Sequence, residues 1–218
     1  MPLFGPSFER HFVAHPWSQS DVLGKTHVRE AQDGMCLALT LDWLCYMKKH
    51  HASVEASFFR LISDRPLLKQ LAGQQRHYVT NPLSALPKKQ RGPVSTSEIV
   101  ELASKDTLTL GFQFTPNPAD FTNVIAHDIE SRGQPVFYKV GIYFKTGVIF
   151  KEEAGHAIGI AIDAHGTLAL FDPNYGLATV QRSFSGTVQR GGTFDEIMNE
   201  LISTYEVRSM NYHCVVVS

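Results

Sequence analysis

Apolar positions in the first third of the chain recur with the period of a helix. From Cys36 to about Lys49, Leu37, Leu41, Leu44, Tyr46 and Met47 follow that spacing, and the run closes in Lys48-Lys49-His50, cations suited to a helix C-terminus. The same pattern predicts helices over Val54 to Ile62 and Pro66 to about Gln75, the latter opened by a proline that suits a first turn. Asn81 to Pro93, with three prolines and a basic centre, reads as an exposed loop. Ser95 and Glu98 match a capping box before a short helix, Thr107 to Phe114 alternates as a strand, and Asn117 to Ser131 predicts a further helix closed by Gly133.

The pattern then changes. Val136 to Phe144, His156 to Asp163, Thr167 to Phe171, Leu177 to Phe184 and Tyr205 to Val217 are β-rich runs separated by glycine turns, with one amphipathic helix at Phe194 to about Thr204. The tight turn Asp163-Ala164-His165-Gly166 makes the strands carrying His156 and Asp172 antiparallel neighbours. Residues 1–30 have no sustained periodicity and read as an extended arm lying on the body, with 31–218 as one domain. Helices first and strands second predict an α+β fold, an N-terminal helical half packed on a C-terminal antiparallel β-sheet across a cleft.

The 218 residues suffice for one domain that buries roughly 70% of its unfolded surface. With 43% hydrophobic and 19% charged residues the chain is globular rather than disordered. A formal net charge of -1 removes the basic footprint of a non-specific nucleic-acid binder, so no nucleic-acid partner is expected. No apolar run approaches the ~20 residues of a membrane span, so no integral membrane segment is expected. Met1 to Pro6 does not start a cleavable secretory signal. Cys36, Cys45 and Cys214 cannot all pair with one another, and they are too few for a four-cysteine zinc site. His50-His51 are adjacent rather than spaced as ligands, so neither a metal nor a cofactor is expected.

One thiol stands where a nucleophile would. Cys36 follows Gly34-Met35 at a helix start, where unpaired N–H groups and the positive end of the macrodipole favour the thiolate. Cys45 and Cys214 read as packing residues. Gly155-His156-Ala157 opens one strand and Phe171-Asp172-Pro173-Asn174-Tyr175-Gly176 closes the next, so a hairpin brings His156 and Asp172 to one edge of the sheet. Such chemistry needs His156 to take the thiol proton and return it to the leaving group, and Asp172 to hold the imidazole tautomer.

These three segments together resemble the YopT-type cysteine peptidases of bacterial pathogens, the AvrPphB-like effectors of the papain-like group. The resemblance rests on Gly34-Met35-Cys36 leading to Trp43, on Gly155-His156-Ala157 with His156 120 positions beyond Cys36, and on the Phe-Asp-Pro-Asn-Tyr-Gly run 16 further on. It covers about residues 30 to 218. It implies a papain-like catalytic domain with Cys36 as nucleophile, His156 as general base and acid, and Asp172 as orienting carboxylate. It also implies a host protein as substrate, a Rho-family GTPase or a kinase, and delivery into the host cytosol by a non-classical, type III-like route.

For the tetrahedral oxyanion the candidates are Gln32 and the backbone N–H of Cys36. Glu152, Glu153, Asp195, Glu196 and Glu200 are candidates for an acidic groove facing a basic substrate. The same triad serves a deamidase, transglutaminase or acyltransferase, and a non-catalytic binding module is a further alternative that the residues leave open.

Overall fold

The computed structural model describes residues 12–21, 34–80, 113–115, 127, 135–146, 152–180, 192–207 and 209–214. In chain order they form β1 (Phe12–Pro16), α1 (Cys36–His50), α2 (Val54–Ser63), α3 (Arg65–Thr80), β2 (Gln113–Thr115), β3 (Val136–Thr146), β4 (Glu152–Ile162), β5 (Leu168–Asp172), β6 (Gly176–Val180), α4 (Gly192–Tyr205) and β7 (Ser209–Cys214). The strands build one seven-stranded sheet in the order β1-β6-β5-β4-β3-β7-β2, antiparallel throughout. β1, inside the stretch read as an arm, is an edge strand paired with β6.

Local chemistry explains the helix boundaries. Ser53 caps α2 by accepting the Ala56 N–H, and Asp64 caps α3 by accepting that of Leu67. α1 stops at His51, which adopts the left-handed conformation after three basic residues. α3 runs further than the predicted Gln75. The expected loop at 81–93, the capping-box helix and nearly all of the helix at 117–131 lie outside the described residues, as does most of the strand at 107–114.

Alternation along the central strands places a core on each face of the sheet. On one face α1, α2 and α3 bring Leu39, Trp43, Leu44, Phe58, Leu61 and Leu71 onto Phe137, Ala161, Ala169 and Phe171. On the other, Ile197, Met198 and Leu201 of α4 meet Tyr138, Val140, Ile142, Ile158, Ile160 and Leu170. Gly159 permits the first packing, since a Cβ there would lie 2.7 Å from the Trp43 ring.

Two further boundaries, both next to the site, differ from expectation. β4 begins at Glu152, so His156 lies inside a strand rather than at its start, because β3 pairs with it as far as Thr146 opposite Glu152. Tyr205 ends α4 instead of opening the last strand, and Glu206, at φ 48°, makes the turn into β7.

Candidate active site

Cys36 is the first residue of α1 and half-buried. No acidic residue occupies the first turn and Met35 gives no side-chain cap. Two neutral amides take that place: Gln19 Oε1 accepts the Met35 N–H at 2.7 Å, and Gln75 Oε1 accepts the Ala38 N–H at 3.0 Å. Because both caps are uncharged, the positive end of the helix is left for a thiolate to balance.

β5 shows how the nucleophile meets the sheet. It pairs with β4 from Leu168 opposite Ile162 to Phe171 opposite Gly159. Continuing that register would set Pro173 against Ala157, and proline has no N–H to donate. α1 fills the place instead. The Ala157 N–H bonds the Cys36 sulfur, and the Ala157 carbonyl accepts the Thr40 hydroxyl at 3.1 Å.

His156 and Asp172 are buried, 7% and 0% exposed, and the His156 Nε2 lies 2.8 Å from Asp172 Oδ1. Nε2–H is the donor, since a carboxylate only accepts, and Nδ1 is the nitrogen left for Cys36. The structure therefore brings together all three residues singled out in the sequence: Cys36 bonds His156, and His156 bonds Asp172. Burial opposes ionisation of the Cys36 thiol, but the hydrogen bond and charge of His156 and the Ala157 N–H outweigh it and bring its pKa below the usual thiol value. Burial also opposes a charged His156, yet the Asp172 carboxylate and the Cys36 sulfur raise its pKa to about 10. The two shifts favour one state, a thiolate beside an imidazolium. Lys139, buried on the α1 face of β3, feels the Cys36 charge, while its burial lowers its own pKa to about 8.

Two further residues surround Asp172. The Tyr205 hydroxyl donates to Oδ2 at 2.9 Å, the Asn174 backbone N–H donates to Oδ1 at 2.8 Å, and the Asn174 side-chain amide donates to the Tyr205 oxygen at 3.1 Å. The Tyr205 ring also stacks on His156 with centroids 5.3 Å apart. Burial, ahead of the Asp172 charge, raises the Tyr205 pKa and keeps its proton in place. Asn174 was legible as part of the Asp-Pro-Asn run. Gln19 and Tyr205 were not, the first lying 17 positions before Cys36 and the second in a β-rich stretch.

Gln32 lies outside the described residues, as do the side chains of Glu152, Glu153, Asp195 and Glu196; Glu200 is a half-buried residue of α4. Cys45 packs beside the α1 core, and Cys214 ends β7. Among the described residues no group of three or more His, Cys, Asp or Glu side chains is placed to hold a metal ion, and no helix is long and apolar enough to cross a membrane.

No protein-family model and no curated protein matches the chain. Among solved structures it is similar to the Pseudomonas avirulence protein AvrPphB, with a TM-score of 0.59 and 19% sequence identity over 86% of this chain and 94% of that one. It is also similar to PatoxP, a cysteine protease-like domain of the Photorhabdus asymbiotica toxin PaTox, with a TM-score of 0.45 and 13% identity over 95% of this chain and 54% of that one. The likeness to AvrPphB establishes architecture: the chain has that protein's papain-like α+β fold, the fold that the sequence resemblance implies.

Proposed function

We propose that the protein is a cysteine peptidase of the YopT and AvrPphB kind, using Cys36 as nucleophile, His156 as general base and acid, and Asp172 as orienting carboxylate. The observation that carries this reading is the unbroken contact from the Cys36 sulfur through His156 to Asp172 at a helix start with no acidic residue. The thiolate attacks a peptide carbonyl, and the backbone N–H of Cys36, in the open first turn, donates to the oxyanion. His156 Nδ1–H then protonates the departing amine, leaving a thioester on Cys36. His156, now neutral, takes a proton from water, whose oxygen attacks the thioester; the acid product leaves and the proton returns the pair to its starting state. Asp172 holds the imidazole throughout.

The substrate in this reading is a host protein, reached after delivery of the enzyme into the host cell. The test compares host-cell proteins incubated with the wild type and with Cys36→Ala, reading new N-termini by mass spectrometry. New termini confined to the wild type support the peptidase. A gain of about 1 Da on an intact protein, the mass change of amide-to-acid conversion, would sink it in favour of a deamidase.

A further inference from the structure

We propose that the N-terminal arm is a working part of this site, with Gln19 as a positioning residue that joins the start of α1 to the Asp172 carboxylate through Asn174 and Tyr205. The inference rests on the catalytic reading above and extends it to a residue outside the triad.

Gln19 is 7% exposed and held from both sides. Its backbone N–H donates to the Pro173 carbonyl at 2.7 Å, and the Trp17 N–H donates to that of Tyr175 at 3.2 Å, so the segment after β1 lies along the turn that follows Asp172. Its side chain spans the gap to α1: Oε1 accepts the Met35 N–H, and Nε2 donates to Asn174 Oδ1 at 2.6 Å. Asn174 donates to Tyr205, Tyr205 to Asp172, and His156 bonds both Asp172 and Cys36, the residue after Met35. The path returns to where it began.

Direction around this ring is fixed by its ends. A backbone N–H can only donate, so the Met35 amide requires Gln19 to present oxygen to it and nitrogen to Asn174. Asn174 must then offer oxygen to Gln19 and nitrogen to Tyr205. The phenol has one proton, and with its oxygen already accepting, that proton goes to Asp172, which accepts only. One glutamine on the arm thus sets the orientation of an amide and a hydroxyl on two other elements, and through them the fixed carboxylate that orients His156.

Gln19→Glu tests this with little change of shape. Glutamate can still accept from Met35, but it has no proton for Asn174. The Asn174 amide must turn over, and the Tyr205 proton is then drawn to Asn174 instead of Asp172. The readout is the pH dependence of Cys36 alkylation by iodoacetamide, resolved from Cys45 and Cys214 by peptide mass spectrometry, with the unfolding midpoint measured alongside. His156, Asp172 and Lys139 are the charged groups that act on the thiol's surroundings; Gln19→Glu adds a carboxylate at the start of α1 that itself opposes the thiolate, so Tyr205→Phe, which adds no charge, and the double variant carry the test.

A wild-type Cys36 that reacts faster than Cys45 at neutral pH is the premise; equal rates would overturn the catalytic reading itself. Given that premise, Gln19→Glu and Tyr205→Phe are each expected to slow Cys36 alkylation at pH 7 by roughly tenfold and to move its midpoint to higher pH. The double variant should be no slower than the worse single one, because both break the same chain. Single-variant profiles that superimpose on the wild type's, or losses that multiply in the double variant, would overturn the proposal.

Discussion

The two faces of the sheet make opposite contributions to one site. The α1 face carries an aromatic cluster, with Trp43 and Phe58 each against Phe171 at ring distances of 5.3 and 5.8 Å, and it delivers a single reactive atom at the end of a helix. The α4 face is largely aliphatic in its core, and its rim carries the polar assembly of His156, Asp172 and Tyr205. A nucleophile needs a rigid mount and a local field, which a packed helix end supplies. A general base needs its tautomer and orientation held, which takes several hydrogen bonds from separate elements. The difference teaches that one face sets where the thiol is, while the other sets which protons move.

If both faces are required, Cys36→Ala and His156→Ala should each lower kcat/KM on a cleaved substrate by at least about 10⁴-fold, and the double variant should be no worse. Additive losses would mean that the faces work independently. Asp172→Asn, confined to the α4 side, should cost roughly 10² to 10⁴-fold. It should also reshape the pH profile. In the wild type, kcat/KM rises as Cys36 ionises, below the usual thiol range, and falls as His156 loses its proton near 10. The Asp172 charge, ahead of the Cys36 sulfur, raises the His156 pKa, so its removal moves the alkaline limb to lower pH.

Smaller effects probe the mounting. Trp43→Ala, which empties the α1 core, should lower stability by about 3–5 kcal/mol in denaturant titration. Thr40→Val leaves the buried Ala157 carbonyl without its hydroxyl and should cost about 1–3 kcal/mol, together with a loss of activity, since that bond seats α1 against the strand bearing His156. Ile158→Val on the α4 face should cost only about 0.5–1.5 kcal/mol and leave the pH profile unchanged. An equal shift of the profile by Thr40→Val and Ile158→Val would erase the distinction between the faces.

The site was partly legible in the sequence for local reasons. A period of 3.6 ending in cations locates α1, a glycine locates its start, and turn residues locate the end of β5, so the positions of Cys36 and Asp172 follow from nearest-neighbour patterns. His156 was legible as a residue but not in its place, because the extension of β4 back to Glu152 comes from pairing with β3 and not from its own alternation. Gln19 depends on β1 finding β6 more than 160 positions away, from Phe12 to Val180, and no local pattern encodes that register. Tyr205 is the last residue of α4 in a stretch whose composition suits strands, and the turn at Glu206 is what ends the helix there. What was missed is the set of residues whose roles are defined by partners distant in the chain.

Pro173 has a consequence for any attempt to move this chemistry elsewhere. The ladder between β4 and β5 ends with Phe171 opposite Gly159, two residues before Pro173 would meet Ala157, and Thr40 of the helix bonds the Ala157 carbonyl there. The start of the helix that carries Cys36 is thereby seated on the strand that carries His156 rather than on a surface loop. A transplant of three side chains onto another scaffold would lack that constraint. The unit to graft is the interrupted strand with its helix.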